Sequence, residues 1–250
     1  MTQFLTLDSL DVSGKRIVNY SFRLIPVLAD AIAPDPDVAA LVREIRGPHQ
    51  DALGKVLGRT DSLLYRRGNF AGTFDDLICQ ALIAERDVEI ALSPGFRWGS
   101  SLLPGQEIRL EDVYDQTAIT YPTAYRTEMT GAALKDILED VADNLFNPDP
   151  YYQQGGDMVR VGGMQYTIDP AQTAGNRISD MRLNGKSIEA GKTYKVAGWA
   201  PVSEDAKNAG GEAIWDVIER HLKDVKVVKA VKLNEPVIKG VANNPGMAPI

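Results

Sequence analysis

The chain has 250 residues, 44% hydrophobic and 24% charged, which is the composition of a globular protein with one large or two small domains. Its formal net charge of −7 and pI near 5.0 argue against nucleic acid or an anionic membrane as a main partner. No apolar stretch is long enough for a membrane span, and the first residues show no export signal. One cysteine, Cys79, excludes an internal disulfide, and two isolated histidines predict no metal site in this chain.

The first part of the chain predicts a β-hairpin followed by a connecting helix. Residues 1–28 alternate between apolar and polar types around a Ser13-Gly14-Lys15 turn. Asp35-Pro36-Asp37 then opens a helical pattern that continues to about residue 57, and Pro48 is expected to end or kink its first half. Residues 1–58 are therefore interpreted as strands plus a linker helix.

A second unit, residues 59–235, mixes helices and strands. Thr73-Phe74-Asp75-Asp76 fits a capping box at the start of an amphipathic helix, and Thr130 is expected to cap another. Several strand patterns follow in succession, with a tight turn predicted at Asn184-Gly185. Strands grouped late in the chain favour an α+β fold over a doubly wound sheet. Residues 236–250 are expected to form a loose tail.

The richest polar segment is YYQQGGDMVRVGG, residues 151–163, directly after the helix-stopping Asn147-Pro148-Asp149-Pro150. Its tyrosines, amides, carboxylate and arginine lie beside four glycines, which let a backbone pass close to a ligand. Tyr152, Gly156 and Asp157 are therefore candidate residues of a polar-ligand pocket. Gly-Gly pairs also occur in ordinary turns, which is the alternative interpretation.

Other candidate residues lie outside this segment. Arg66-Arg67-Gly68-Asn69 precedes a helix and presents amides and guanidinium groups to an anion, or is simply a structural turn. Arg97, between Gly95 and Gly99, suits an oxyanion but equally a surface position stacked on Trp98. Tyr121 and Trp199 each place an aromatic ring at a strand end, as core residue or as binding platform.

The order of these pieces resembles the C-terminal domain of the 5′-nucleotidase family. The Gly-Asn turn leads into a helix, and Gly-Phe-Arg follows a short strand. The motifs then continue in the family's order, as MTGAALKDILED, VGGMQYTIDP, LNGK, TYKVAG and a Gly-Gly helix start. The resemblance implies a mixed sheet with packed helices, preceded by the hairpin and linker helix.

Within that family the chain is most similar to the SoxB group of thiosulfohydrolases. The closer match is carried by LLYRRGNF, SPGFRWGSSLLPGQ, DQTAITYP, NPDPYYQQGGDMVRVGG and GWAPV. The resemblance implies that residues 1–30 are the closing strands of a metallophosphoesterase-like N-terminal domain. That catalytic domain, with two manganese ions and a periplasmic location, would precede this chain.

The resemblance also implies roles for particular residues, all of them in substrate binding and none catalytic. Arginines at Arg67 (or Arg66) and Arg97, with Asn69, occupy the places where nucleotidases meet their substrate. Tyr121 and Trp199 match the two aromatics that sandwich a base. The family's Gly-Gly-Asp-Gly, whose aspartate meets ribose, is replaced by Gly-Gly-Glu-Ala at 210–213, and its Gly-Ile-Arg loop by Pro94-Gly95-Phe96-Arg97.

These departures favour a SoxB-like substrate over a nucleotide. The implied substrate is a cysteine S-thiosulfonate on the mobile C-terminal peptide of the SoxYZ carrier, with the segment 151–157 and Trp199 along its channel and Arg97 clamping the sulfonate. Two alternatives remain open, a 5′-nucleotidase-like phosphohydrolase and a non-catalytic module that binds a carrier. In every case we expect the 250-residue chain alone to be inactive.

Overall fold

The computed structural model describes residues 2–28, 31–66, 68–95, 99–117, 122–200, 211–229 and 232–240. It divides into two compact units, Met1–Leu53 and Gly54–Ile250, and each is described by itself. Among the described residues no helix has the length and apolar character needed to cross a membrane.

The first unit is a hairpin followed by short helices, as predicted. β1 (Thr2–Ser13) pairs antiparallel with β2 (Arg16–Leu28), and Gly14 turns between them with φ of 61°. α1 (Pro36–Arg46) begins at Asp35, whose carboxylate accepts hydrogen bonds from two first-turn amides. A 3₁₀ turn that contains Pro48 separates α1 from α2 (Gln50–Leu53). The predicted continuation to residue 57 is wrong, because the chain enters a strand at Val56.

The second unit contains the other elements. They are β3 (Val56–Thr60), α3 (Thr73–Arg86), β4 (Ile90–Ser93), β5 (Glu107–Arg109), α4 (Leu110–Thr117), β6 (Ala124–Thr130), α5 (Gly131–Phe146), β7 (Arg160–Gly162), β8 (Met164–Ile168), β9 (Ile178–Leu183), β10 (Lys186–Ser187), β11 (Thr193–Trp199), α6 (Ile214–Val225), β12 (Val227–Val228) and β13 (Val237–Ile238).

The strands of this unit form three small sheets of mixed direction. Their orders are β6-β11-β4-β7, β10-β9-β8-β13 and β12-β3-β5. In the first sheet β11 runs parallel to β4, whereas β6 and β7 pair antiparallel at its two edges. Mixed pairing with helices outside the sheets confirms the predicted α+β class.

Two apolar clusters hold the unit together. One joins α3, α4 and α6 through residues such as Phe74, Ile78 and Ile218, and it includes the buried Cys79. The other lies under α5, where Leu134 and Leu138 meet the strands. Full burial of each such side chain contributes roughly 1.5–3 kcal/mol. These clusters fix the helices that carry the candidate site.

Three local predictions can be compared with the structure. Thr130 caps α5 by accepting from Ala133 N–H at 3.2 Å, and Asn184-Gly185 forms the turn between β9 and β10 with positive φ at both residues, as predicted. The capping box at Thr73 is wrong. Gly72 is the N-cap, while the Thr73 hydroxyl donates to Leu63 O and accepts from Tyr65 N–H, so tertiary partners replace the local motif.

The C-terminal part of the described chain is paired at one place. Val237–Ile238 runs parallel to Thr167–Ile168 as the edge strand of its sheet. Asn234 ties the preceding segment down, since its amide donates to the carbonyls of Val161 and Met164. The segment that was expected to be loose from residue 236 is therefore held by backbone pairing at its start. Residues 241–250 lie outside the described residues.

Candidate functional site

The candidate site lies at one end of the β6-β11-β4-β7 sheet. The parallel strands β4 and β11 end there, at Ser93 and Trp199, and β7 begins opposite Ser93 with Arg160. The Trp199 indole donates to the Ser93 hydroxyl at 2.8 Å. The carboxyl ends of parallel strands are the usual place for ligands in such sheets.

Two arginines and two aspartates form a buried cluster beneath this edge, which we call the arginine–aspartate cluster: Arg66, Asp75, Asp157 and Arg160. Asp75 lies in the first turn of α3 and bridges both cations, with Oδ1 at 2.8 Å from Arg66 Nε and Oδ2 at 3.2 Å from Arg160 Nε. Asp157 Oδ2 lies 3.3 Å from Arg160 Nη2. Each of the four residues is at most 7% exposed, and their formal charges sum to zero.

The remaining guanidinium N–H groups donate to backbone carbonyls of several loops. Arg66 donates to Gln116 O at 2.6 Å and to Pro94 O at 2.7 Å. Arg160 donates to the carbonyls of Asn69, Met158, Arg66 and Gly68. The cluster therefore joins four chain segments that are far apart in sequence.

Burial sets the electrostatics of the cluster. Desolvation raises the pKa of Asp75, and the two guanidinium groups oppose that rise. Desolvation likewise lowers the pKa of Arg66 from its ordinary value, whereas the negative charge of Asp75 opposes that shift. Arginine keeps its proton in proteins, and Asp75 touches two such cations, so the ion pairs are charged at neutral pH. This arrangement makes a stiff support rather than a proton donor or acceptor.

Trp199 belongs to this support. It is 2% exposed, and the guanidinium carbon of Arg66 lies 5.6 Å from the centroid of its ring. A cation over an aromatic face is attracted by the ring quadrupole. The structure thus places Trp199 in the core beneath Arg66, where its ring holds the cluster.

The segment 147–157 is exposed to solvent at its two tyrosines and becomes buried at Asp157. Asp149 and Asn147 accept hydrogen bonds from the backbone within it, and Gln153 donates to Asn147 O, so a short 3₁₀ turn carries the tyrosines. Tyr151 and Tyr152 are 96% and 66% exposed. Gly155 and Gly156 have φ of 80° and 98°, which a side chain would strain, and they bring the chain back to buried Asp157.

The Gly68-Asn69 turn, the loop that begins at Pro94 and the segment that ends at Asp157 contact one another through their backbones. Met158 N–H donates to Asn69 O at 3.2 Å. A Cβ on Gly95 would lie 2.7 Å from the Asp157 carbonyl oxygen, so only glycine fits there. The structure consequently brings together Asn69, whose side chain is exposed, and the segment that ends at Asp157. Arg67, Arg97 and Tyr121 lie outside the described residues.

Sequence reasoning misses Asp75 and Arg160 as residues of the site. The local pattern assigns Asp75 to a helix cap and Arg160 to a strand. The available signal is a charged residue among apolar neighbours in each element, since such residues are rarely buried without a partner. In the described part of the chain, no group of three or more His, Cys, Asp or Glu side chains could hold a metal ion.

The comparisons with known proteins agree on the family. The model of the 5′-nucleotidase C-terminal domain matches residues 56–209. The solved structure of Thermus thermophilus sulfate thiohydrolase SoxB in complex with glycerol is 33% identical, with a TM-score of 0.88 over 95% of this chain and 45% of that one. No match was found among curated proteins.

More distant structures share the fold. A 5′-nucleotidase precursor from Thermus thermophilus has 17% identity and a TM-score of 0.75, over 94% of this chain and 50% of that one. A putative 5′-nucleotidase from Staphylococcus aureus, in complex with alpha-ketoglutarate, has 17% identity and a TM-score of 0.62, over 95% and 50%. The chain thus spans about half the length of these proteins. By the family model and the motifs that carry the resemblance, the chain belongs to the 5′-nucleotidase family, whose C-terminal domain it contains.

Proposed function

We propose that this chain is the substrate-binding, C-terminal part of a SoxB-like thiosulfohydrolase. The observation that carries the proposal is the 33% identity to SoxB over 95% of the chain, about twice the identity to the nucleotidase structures. In the complete protein, water would add to the terminal sulfur of a cysteine S-thiosulfonate on the SoxYZ carrier. The bond between that terminal sulfur and the neighbouring sulfane sulfur would break, sulfate would leave, and the carrier would keep a cysteine persulfide.

The catalytic half would lie in a metallophosphoesterase-like N-terminal domain, with two manganese ions and a periplasmic location as in the SoxB group. Among the described residues of this chain, no three His, Cys, Asp or Glu side chains are grouped so that they could hold a metal ion. The role of this chain is to bind and orient the carrier peptide. Arg97 and Arg67 would clamp the sulfonate, with Asn69 beside them. Tyr121, Tyr152 and Gly156 would border the peptide.

The hairpin supports an N-terminal partner domain. Leu10 and Tyr20 are cross-strand partners, and Phe22 and Leu24 follow Tyr20 at alternate positions, so all four share one face. They are 55–72% exposed, whereas the part of the other face nearest the turn carries Ser9, Asp11 and Asn19. An apolar sheet face is stable when another layer covers it. The proposed cover is the N-terminal half of the complete protein, which would include this hairpin.

The alternative is a 5′-nucleotidase-like phosphohydrolase, which the family model favours. One contact weighs against it. Glu212 stands where the nucleotidases have the aspartate that meets ribose, and it already accepts from Arg86 at 2.9 Å and from both terminal nitrogens of Arg220 at 2.8 Å. A carboxylate held in such a fork has little capacity left for a ribose hydroxyl.

Sulfate release by the complete protein tests the proposal. We expect it to release sulfate from SoxYZ that carries the thiosulfonate, and to leave nucleoside monophosphates intact. The 250-residue chain alone should release neither sulfate nor phosphate. When this chain is immobilised on a column, however, it should bind SoxYZ. Phosphate release from AMP without sulfate release from the carrier would overturn the proposal in favour of the nucleotidase.

Arg97→Ala in the complete protein tests the clamp. We expect turnover of the loaded carrier to fall by roughly 10²–10³-fold, the usual loss when a charge-stabilising donor is removed. Manganese content should not change, because the metal ligands would lie in the other domain. Arg182→Ala, an exposed strand arginine remote in sequence from the loop, is the matched control. Turnover like that of the unmodified protein would remove Arg97 from the site.

A further inference from the structure

We propose that Asp75 is the positioning residue of the candidate site, because it fixes three loops at once through Arg66 and Arg160. The inference rests on the proposed function for its meaning, and on the contacts of the arginine–aspartate cluster for its geometry. Asp75 touches no substrate in this proposal. It acts through the guanidinium groups of Arg66 and Arg160, whose other N–H groups hold the loops. We call the contacts of these two groups the Arg66 branch and the Arg160 branch, and Asp75, which joins them, the hub.

The Arg66 branch holds both described ends of the loop that contains residue 97. Arg66 Nη2 donates to Pro94 O at 2.7 Å, which fixes the start of the loop. Arg66 Nη1 donates to Gln116 O at 2.6 Å, and the Gln116 amide donates to Ser100 O at 2.6 Å, which fixes its end. Arg66 can hold these carbonyls only while its Nε is directed by Asp75 Oδ1, 2.8 Å away.

The Arg160 branch holds the other two loops against each other. Its Nη1 donates to Asn69 O at 2.9 Å and to Met158 O at 3.0 Å, so one nitrogen joins the Gly-Asn turn to the end of the tyrosine segment. Its Nη2 contacts Asp157 Oδ2 at 3.3 Å. The Nε is directed by Asp75 Oδ2 at 3.2 Å. Asp75 is thus the one carboxylate that contacts both branches among the described residues.

The charge balance explains why a neutral side chain cannot replace Asp75. Two guanidinium groups and two carboxylates alternate in the cluster, and each of the four residues is at most 7% exposed. Asparagine at this position would remove the negative charge that lies between two buried cations and turn an amide N–H₂ toward a donor. The two guanidinium groups would then reorient, and all three loops would lose their carbonyl contacts together.

Hydrogen–deuterium exchange on this chain tests the inference without any substrate. With Asp75→Asn we expect the amides of 68–72, Gly95, 99–100 and 155–158 to exchange faster together, by on the order of tenfold. Asp76→Asn is the matched control, because it removes the neighbouring first-turn carboxylate, which accepts from Asn234 N–H and from neither arginine. Faster exchange confined to α3, or the same pattern in Asp76→Asn, would overturn the inference.

A second variant keeps the test decisive if Asp75→Asn does not fold. Asp157→Asn weakens the Arg160 branch, so the amides of 68–69 and 157–158 should exchange faster while Gly95 keeps the exchange rate of the unmodified chain. Uniform loosening of all three loops in this variant would contradict a hub at Asp75. No exchange difference from the unmodified chain would contradict the Arg160 branch.

Kinetic measurements on the complete protein test whether Asp75 contributes to binding of the loaded carrier. For Asp75→Asn we expect KM for the loaded carrier to rise about tenfold while kcat changes little. This is the effect of losing a residue that does not touch the substrate but orients the groups that bind it. A purely structural role would reduce kcat and metal content together at constant KM, and that result would overturn the positioning role. If the protein turns over no carrier at all, the proposed function fails while the exchange result still decides the hub.

Discussion

Two clusters form around buried arginines in the same unit, and they connect different numbers of chain segments. The arginine–aspartate cluster collects carbonyls from segments near residues 66–69, 94, 116 and 158. The second cluster, which we call the loop latch, is Glu139, Asp143 and Arg177. The Arg177 guanidinium pairs with Asp143 at 2.8 Å and donates to Phe146 O, and both of these partners belong to α5.

The loop latch fastens one loop to one helix. Glu139, on α5, accepts from the backbone N–H groups of Gly175, Arg177 and Ile178 at 2.7–3.2 Å. Arginine and acidic residues therefore connect several loops in the arginine–aspartate cluster, whereas in the loop latch they attach one loop to one helix. The difference lies in how many independent segments the cations reach, and it predicts which variants disturb the candidate site and which leave it intact.

Arg160→Met should have the largest effect. Methionine keeps the apolar stem but removes the cation, so Asp75 and Asp157 each lose their contact with Arg160 and four carbonyls lose their donor. Breaking a buried pair from one side costs about 3–5 kcal/mol of unfolding free energy, measured by urea denaturation. Arg182→Met, at an exposed position of β9, is the control and should change little. A loss below about 1 kcal/mol at Arg160 would show that the cluster does not hold the loops.

Glu139→Gln should cost less and act locally. The amide can still accept with one oxygen, but its N–H₂ group meets backbone donors, and the charge-assisted bonds are lost. We expect a loss of about 2–3 kcal/mol. Exchange should quicken at 173–178 and stay unchanged at 68–72 and 155–158. Loosening at the candidate site in this variant would erase the distinction between the two clusters.

The elements of the fold follow from local patterns, and the clusters do not. Period-two alternation predicts the hairpin of residues 1–28, and the stripe Leu134, Ile137, Leu138 and Val141 predicts α5, because both signals lie within one element. The Asp75–Arg160 contact joins residues 85 positions apart. No periodicity encodes which buried cation a carboxylate meets.

Where local rules failed, a tertiary partner took over the group concerned. Thr73 has the sequence of a capping residue, yet its hydroxyl serves Leu63 and Tyr65, and Gly72 begins the helix. The sequence allows Trp199 to be a core residue or a binding platform, and its position beneath Arg66 depends on a contact with a residue far earlier in the chain.

Asp76→Asn should stabilise the chain in a pH-dependent way. Burial raises the pKa of Asp76 from 3.8 to about 6, so the folded state holds its proton more tightly than the unfolded state. Ionisation therefore opposes folding. Asp76→Asn should gain nothing below pH 3.8, gain progressively to pH 6, and reach about 1–2 kcal/mol above it, after a discount for the weakened bond from Asn234. Urea midpoints at about pH 4 and pH 7.5 measure the difference. A variant less stable than the unmodified chain at the higher pH would reverse the sign.

Asp143→Asn should give the smallest effect, with the opposite pH dependence. Hydrogen bonds from Arg177 and then Asn147 hold the pKa of Asp143 below its ordinary value of 3.8. A lowered pKa means that the carboxylate stabilises the fold above pH 3.8 and loses that contribution as the pH falls. The melting temperatures of the variant and the unmodified chain should differ slightly near neutral pH and converge in acid. Divergence in acid would mean that Asp143 does not act through its charge, and the loop latch would then depend on Glu139 alone.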